Sequence, residues 1–499
     1  MAQAPTSIVI LGGGTAGWMT ANLLQHRWGG KGTTVTLIES SGIGIIGVGE
    51  GSTPQLKAFF DELSIAETEW MPRCNATYKA GIEFVGWSDR PGFERYFHPF
   101  PTELDQFTQP RFFYATRARR AGRDVPAHPD PFFIPTRIAR KGLAPLAPPN
   151  FPFAISYGYH FDAHLLGAFL REIGTNRGIR HVDARIASVD LTEDGDVGAL
   201  VADDGRRFEA DFFVDASGFR AAIIEEALNE PHRSFDQNLF NDRAVVARTP
   251  IPETGAEACT RSTAASAGWI WRIPLTNRIG NGYVYSSRYI DDEAAAQELR
   301  THLGVGEEVE VRTLKMKCGR VERSWVRNCL AVGLAQGFLE PLEATALHIV
   351  LATVNSFIEA FELDERDAFN AALARRYEGI RDYIVCHYRA ALRRDTDYWR
   401  NAASMMALSD SLKDIITAWF TGADLERAVM QQGIADIYPP NSWHCMLAGY
   451  GNFPDASLLR PPGPDIMAID MADIERFVGG CTMNFPTHAQ ALARLVEAQ

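Results

Sequence analysis

The sequence predicts an α/β fold: a parallel-sheet core, interrupted by β-rich segments and completed by a helical C-terminal part. Three observations carry this. Residues 7–11, SIVIL, form a short apolar, β-branched run of the kind found in buried parallel strands. A glycine-rich turn, a helical pattern and a second strand-like run follow it directly. Far along the chain, a β-rich stretch at about 243–289 gives way after residue 341 to apolar steps of three and four.

Taken in order, GGGTAG follows the first strand, and WMTANLLQHRW has helical spacing through Met19, Leu23 and Leu24. TTVTLIES then reads as a strand ending in Glu39. A glycine-rich loop occupies 42–54. Residues 89–153 are rich in Pro, Phe and Arg with weak periodicity, and read as an irregular insertion covering something. HFDAHLLGAFLREIG (160–174) predicts an amphipathic helix. RHVDARIASVDL and GALVADDGRRFEADFFVDAS read as strands with a turn at Asp204-Gly205. Later, Phe369, Leu373, Tyr377, Ile380, Ile384, Tyr388 and Leu392 share one helix face. The expected domains are a discontinuous nucleotide-binding core over 1–360, with inserted sheet segments at about 75–155 and 225–320, and a mainly helical part over 361–499.

Composition bounds the function. The 499 residues carry a formal net charge of −13, which disfavours nucleic acid and anionic membranes as partners, because phosphates attract excess Lys and Arg. Seven cysteines, an odd number with no C-x-x-C pair, make no disulfide scaffold. The start lacks a basic n-region, and no uninterrupted apolar stretch has the length of a bilayer span, so a cytoplasmic protein is expected. No metal site is expected: H-E-x-x-H is absent, and His160 and His164, four apart on the predicted helix, have no third ligand.

Gly12, Gly14 and Gly17 form G-x-G-x-x-G between a strand and a helix. Glycines there permit a tight turn and close approach to a pyrophosphate, and the helix start supplies free N–H groups. Glu39 can accept ribose hydroxyls. The alternative is a glycine-rich turn with no ligand. DFFVDASGF (211–219) and CLAVGLAQGFLEPLEA (329–344) return the chain to the same fold twice, which suits an FAD enzyme with an inserted substrate domain better than a compact NAD domain.

Five ordered motifs then carry a family resemblance. They are GGGTAGW (12–18), GVGEGSTP (47–54), YKAGIEF (78–84), GWIWRIPL (268–275) and GFLEPLEATAL (337–347). The chain resembles the flavin-dependent halogenases of the tryptophan halogenase type, through DTDYW (395–399) and again at WHCMLAGYG (443–451). That resemblance implies a Rossmann-like FAD core of the GR2 flavoprotein monooxygenase type. It implies that FADH2, O2 and chloride or bromide yield hypohalous acid, which halogenates an electron-rich aromatic ring. FADH2 comes by diffusion from a separate flavin reductase, and the family is compatible with a homodimer.

The resemblance also assigns roles. Lys79 and Glu343 become catalytic: the lysine holds the hypohalous acid, and the glutamate polarises it, stabilises the cationic ring or takes its proton. Thr345 and Ala346 bind halide through backbone amides near a helix start. Gly12, Gly14, Thr15, Ala16, Gly17, Glu39, Val48, Gly49, Ile186, Leu334 and Leu347 line the flavin. Trp269, Trp271, Ile273 and Pro274 form the W-x-W-x-I-P motif, thought to keep organic substrate from the flavin. His98, Phe100 and Trp443 contact substrate, with Phe97 beside the first two. Without the family, capping explains Glu343 and core packing explains the tryptophan pair.

Two departures stand out. Ala344 and Ala346 replace the family's Ser and Gly, which bears on rate and halide preference. The stretch 420–443 lacks the Tyr-Tyr and Phe-Trp pairs with which free-tryptophan enzymes grip the amino acid, and offers Glu426 in unmatched surroundings. Indole or an indole derivative is therefore the expected substrate. The competing readings are an FAD-dependent aromatic monooxygenase and a flavin-binding homologue that does not halogenate.

Overall fold

The computed structural model describes residues 3–42, 49–149, 151–464 and 466–497. The flavin candidate Val48 lies outside them. The chain divides into two compact units, each assembled from three segments.

Unit 1 comprises Met1–Ala76, Phe161–Asp236 and Met316–Tyr377. Its main sheet has six strands, in the order Trp325–Val326, Cys329–Ala331, Phe212–Asp215, Ser7–Leu11, Thr34–Glu39, Arg180–Asp183. All pairings are parallel except the edge pair Trp325–Val326 with Cys329–Ala331. Ile8, Val9, Ile10 and Leu11 are all buried, so the central strand is apolar on both faces, as a doubly covered parallel strand must be. A separate antiparallel sheet, Ile186–Leu191, Val197–Ala202 and Arg207–Glu209, turns at Asp204-Gly205, where Gly205 takes φ +85°. The helix Ala346–Leu363 has the length and a mean hydropathy, 1.4, of a bilayer span. Over half of it is buried, and Phe357 and Phe361 pack their rings against Trp28 and Trp325, so it serves this unit as a core helix.

Unit 2 comprises Thr77–His160, Gln237–Lys315 and Glu378–Gln499. Its seven-stranded sheet runs Val311–Lys315, Arg243–Thr249, Ile279–Tyr285, Gly268–Pro274, Thr260–Ala265, Gly81–Val85, Arg95–Pro99. Only Thr260–Ala265 with Gly81–Val85 is parallel. Helices follow at Asp397–Met405, Asp410–Thr421, Leu425–Gln432, Pro440–Gly449, Met471–Cys481 and His488–Glu497. Four of their starts are capped by Thr396, Ser409, Asp424 and Asp470 side chains, each accepting a backbone N–H of the first turn.

Five expectations need correction. The predicted helix 160–174 begins at Ala163, capped by the Asp162 carboxylate. His160 instead lies in the strand Gly158–Phe161, so the two histidines share no helix face. The insertion 89–153 is more ordered than its weak periodicity implied, holding the strand Arg95–Pro99 and the helices Gln109–Arg120 and Ile134–Arg140. Proline at the first turn starts both of those helices, which a period count does not register. No boundary falls at 361. The helix Arg366–Ala390 runs unbroken, and residues 378–499 group with the inserted segments rather than forming a separate part. Its predicted face is buried from Phe369 to Tyr388, and Leu392 lies past its end.

Candidate active site

In unit 1 the strand Ser7–Leu11 ends just before Gly12, and the helix Thr15–Trp28 begins directly after Gly14. Gly12 has φ +118°, and a Cβ there would lie 2.1 Å from the Ala216 carbonyl oxygen. A Cβ on Gly17 would lie 1.9 Å from the Gly12 carbonyl, so the helix can close on the strand only through glycine. Gly14 differs: nothing lies within 4 Å of its Cβ position, which leaves the loop open to a ligand. The Glu39 carboxylate reaches the Gly13 position and pairs with His181 at 2.8 Å and Arg171 at 3.4 Å. Gly333, preceding Leu334, abuts the Ala16 side chain. This open glycine loop, with a carboxylate beside it, fits a dinucleotide. Ile186 is buried in the apolar cluster with Val9, Leu11, Ile38 and Phe213. Gly49 is buried with φ +94°, and the neighbouring Glu50 carboxyl is pushed up to about 7 by burial, with the Asp162 charge adding.

Asp215 organises the second return of the chain. Its buried carboxylate accepts Ser217 N–H and O–H at 3.0 and 2.6 Å, and Ile223 and Ile224 N–H at 2.7 and 2.8 Å. Burial still raises its pKa, the hydrogen bonds opposing that shift. The third return leads through the 3-10 turn Pro341–Glu343 to the helix Ala346–Leu363. Glu343 is buried, and no side chain caps that helix, so the backbone N–H groups at its start are not taken by a cap. Ala344 has φ +54°, ψ 38°, in the left-handed region. Ala346 is an ordinary first helical residue. The conformational demand thus falls at 344, not at 346, where the family's glycine had suggested it.

In unit 2 the strand Thr77–Lys79 pairs antiparallel with 158–160. Lys79 is fully buried, with its ammonium 5.3 Å from the Phe100 ring centroid, cation–π distance. Phe100 N–H donates to the Ala80 carbonyl at 3.1 Å, and Ile82 sits opposite His98. His98, Phe100 and Lys79 are therefore brought together by one strand turn. His98 meets the Tyr383 ring at 6.3 Å, and Tyr383 meets Trp443 edge-on at 4.8 Å. The Trp443 side chain is fully buried, and its indole N–H has no acceptor among the described residues. Trp269 and Trp271 lie 6.1 Å apart in the strand Gly268–Pro274, with Ile273 and Pro274 buried after them. Trp271 lies so close over Gly282 that a Cβ there would sit 2.1 Å from the indole, which explains the glycine in the facing strand.

The stretch 420–443, the lid over the substrate in the family resemblance, contains Glu426. Glu426 accepts from Arg117 at 2.6 Å, and the buried His444 ring lies 3.6 Å away. His444 and Arg117 together hold the Glu426 carboxyl far below its usual range. His444 itself stacks on Phe113 at 4.1 Å and contacts Thr116 Oγ1 at 2.9 Å. Sequence reasoning missed Tyr383 and Tyr438, whose rings stack at 3.6 Å and 11° although 55 positions of chain separate them. No tyrosine pair is adjacent in this stretch, yet one is assembled in space. It also missed Thr77, His160 and His488, which meet the lysine strand. No spacing in the sequence signals the two histidines, which lie 81 and 409 positions from Lys79.

Comparison with known proteins agrees with this geometry. The profile of a family described as tryptophan halogenase matches residues 7–460. Tryptophan 6-halogenase SttH of Streptomyces toxytricini is 35% identical over 506 residues, covering 95% of this chain and 93% of that protein. The 7-chloro-L-tryptophan 6-halogenase KtzR of Kutzneria sp. (strain 744) is 34% identical, covering 98% and 99%. Among solved structures, Xcc4156, a flavin-dependent halogenase from Xanthomonas campestris, is 35% identical with a TM-score of 0.84, covering 98% of each chain.

Proposed function

The chain belongs to the tryptophan halogenase family, a flavin-dependent enzyme acting on an aromatic substrate with reduced FAD, O2 and halide, and from that premise we propose that its own substrate is indole or an indole derivative rather than free tryptophan. The observation that carries the proposal is the state of Glu426. It is the one glutamate of residues 420–443, and its carboxylate is already engaged by Arg117, with His444 beside it. Gripping the ammonium of an amino acid takes a carboxylate that is not shared with a guanidinium. Tyr383, Tyr438 and Trp443 form a buried aromatic cluster that reaches His98, apolar surroundings that suit a flat ring better than a charged amino acid, and the Trp443 N–H is a donor without an acceptor among the described residues. The names of the curated relatives favour the other reading, free tryptophan.

Roles follow from chemistry. Reduced FAD with O2 supplies the oxidation of halide to hypohalous acid. Gly12, Gly14, Thr15, Ala16, Gly17, Glu39, Gly49, Ile186, Leu334 and Leu347 would hold the flavin, and the Thr345 and Ala346 amides would hold halide. Lys79, a compact three-donor cation shielded from bulk water, hydrogen-bonds the hypohalous oxygen and leaves the halogen electrophilic. His98 and Phe100 set the ring against it. The ring carbon takes the halogen as the oxygen–halogen bond breaks, the Lys79 ammonium gives the departing hydroxide the proton that makes it water, and Glu343 takes the ring proton. Trp269 and Trp271 bar organic substrate from the flavin. A separate flavin reductase supplies FADH2 by diffusion, and the protein acts in the cytoplasm, with a homodimer compatible with this chemistry. The test is bromination of indole against tryptophan, with a flavin reductase present and products read by mass. Faster indole turnover is expected; faster tryptophan turnover overturns the proposal.

A further inference from the structure

A three-residue strand cannot hold a catalytic side chain by its own ladder, so what braces Thr77–Lys79 matters. On one side, Thr77 Oγ1 lies 2.7 Å from the Pro274 carbonyl and 3.0 Å from His160 Nδ1. A carbonyl only accepts, so the single hydroxyl proton goes to Pro274. Thr77 must then accept from His160, which places the ring proton on Nδ1. His160 Nε2, 2.9 Å from Thr260 Oγ1, accepts from that hydroxyl. On the other side, the Tyr78 backbone N–H donates to His488 Nε2 at 3.2 Å, so that nitrogen carries no proton. His488 Nδ1 lies 2.7 Å from the Ala256 carbonyl and must donate to it.

Two histidines thus meet the strand from opposite sides, both neutral, both protonated at Nδ1 and both accepting at Nε2. Neither can reverse its roles, because a carbonyl fixes one end of each chain of hydrogen bonds. His160 is fully buried and His488 nearly so. Burial lowers the pKa of each, and for His160 the charges of Lys79 and Arg272 and the neighbouring His488 lower it further. Thr77 and Lys79 lie on the same face of the strand, so a second charge at His160 would stand beside the lysine. The chain of contacts also ties the lysine strand to Pro274 of the W-x-W-x-I-P motif, and to a C-terminal helix that lies beyond the 7–460 family match.

We propose that His160 and His488 are positioning residues for Lys79, two neutral acceptor imidazoles that hold its strand so that the ammonium meets the hypohalous acid and not bulk water. The proposal rests on the reading of Lys79 as the residue that holds that acid. Its consequence is specific: loosening the strand releases oxidant without making product.

The test compares His488→Gln, whose side-chain oxygen can reach the Nε2 position, with His488→Asn, which cannot. FAD binding, made in unit 1, reports folding in both. In His488→Asn, product formation on the preferred aromatic substrate falls about tenfold or more at little change in KM, hypohalous acid trapped by a chlorinatable dione rises per O2 consumed, and exchange of the Tyr78 amide accelerates in the flavin-free protein. His488→Gln restores all three. His160→Phe reproduces the loss of product with oxidant release. Equal behaviour of the Gln and Asn variants, or product loss without oxidant release, overturns the proposal. Lys79→Ala separates it from its premise: product persisting in that variant overturns the lysine reading, whereas its loss beside a wild-type His488→Asn overturns only the bracing.

Discussion

The strand Thr77–Lys79 and the helices Asp410–Thr421 and Leu425–Gln432 belong to the same unit, but their surroundings differ sharply. Thr77, Tyr78 and Lys79 are at most 1% exposed, and the Thr77 hydroxyl meets Pro274 and His160 while the Tyr78 N–H meets His488. In the two helices Phe420 is 63% exposed and Met430 61%, and Glu426 is spent on a half-exposed ion pair with Arg117. The first element leaves one geometry available, because every displacement strands a buried polar group. The second can change its exposed side chains at little cost, although Arg120 holds the Ala418, Trp419 and Ala423 carbonyls and the Trp419 indole donates to the Asn452 carbonyl. This difference teaches where chemistry and substrate choice can diverge: the lysine strand is enclosed on every side, whereas the two helices are anchored on one face and leave the other open to change.

Perturbations of the two regions should therefore separate widely. Lys79→Ala is expected to lower halogenated product at least about a hundredfold with FAD binding retained, read by mass from single-turnover reactions. Glu343→Gln should cost about as much while still releasing hypohalous acid, since the residue acts on the ring proton. Retained product in either case would remove the contrast between a fixed chemical element and an adaptable lid.

Acid should loosen the braced region next. His160 and His488 are held neutral below the ordinary histidine value of 6.5, so below that pH the unfolded chain binds more protons than the folded one. Stability is then fully present above pH 6.5 and falls as pH drops, by about 1.4 kcal/mol per pH unit for each histidine. Thermal unfolding across this range should show the slope, and His488→Gln should reduce it. A slope that the substitution leaves unchanged would assign the acid sensitivity to other groups.

Smaller effects are expected elsewhere. Ala344→Gly relieves a left-handed alanine and should stabilise the protein by about 0.5–1 kcal/mol, read from denaturant midpoints. Glu426→Gln in the lid should cost no more than about 1 kcal/mol, because its arginine partner is exposed, and should leave turnover of indole within about twofold. A collapse of indole turnover in that variant would place the lid among the chemical elements.

Much of the molecule was legible in the residues themselves. The strand, glycine turn and helix at 7–28 could be read because each signal is local: a β-branched run, glycines at contact spacing and a helical period. The order of the motifs identified the family for the same reason. The start of the helix at Ala163 was misread by one motif's width, because Asp162 acts as a cap and His160 belongs to the strand before it. The concern over Ala346 belonged to Ala344, since only the backbone reveals which residue turns left-handed.

What the sequence determined alone was the fold class and the family, both carried by contiguous residues, and the same motifs single out Lys79 and Glu343 as the proposed catalytic pair. Only the tertiary structure decided what surrounds them. Tyr78 meets His488 across 410 positions, Thr77 meets His160 across 83, and Tyr383 finds Tyr438 by stacking. Such contacts have no period and no spacing. They arise when burial leaves a donor no partner but the one the fold brings to it.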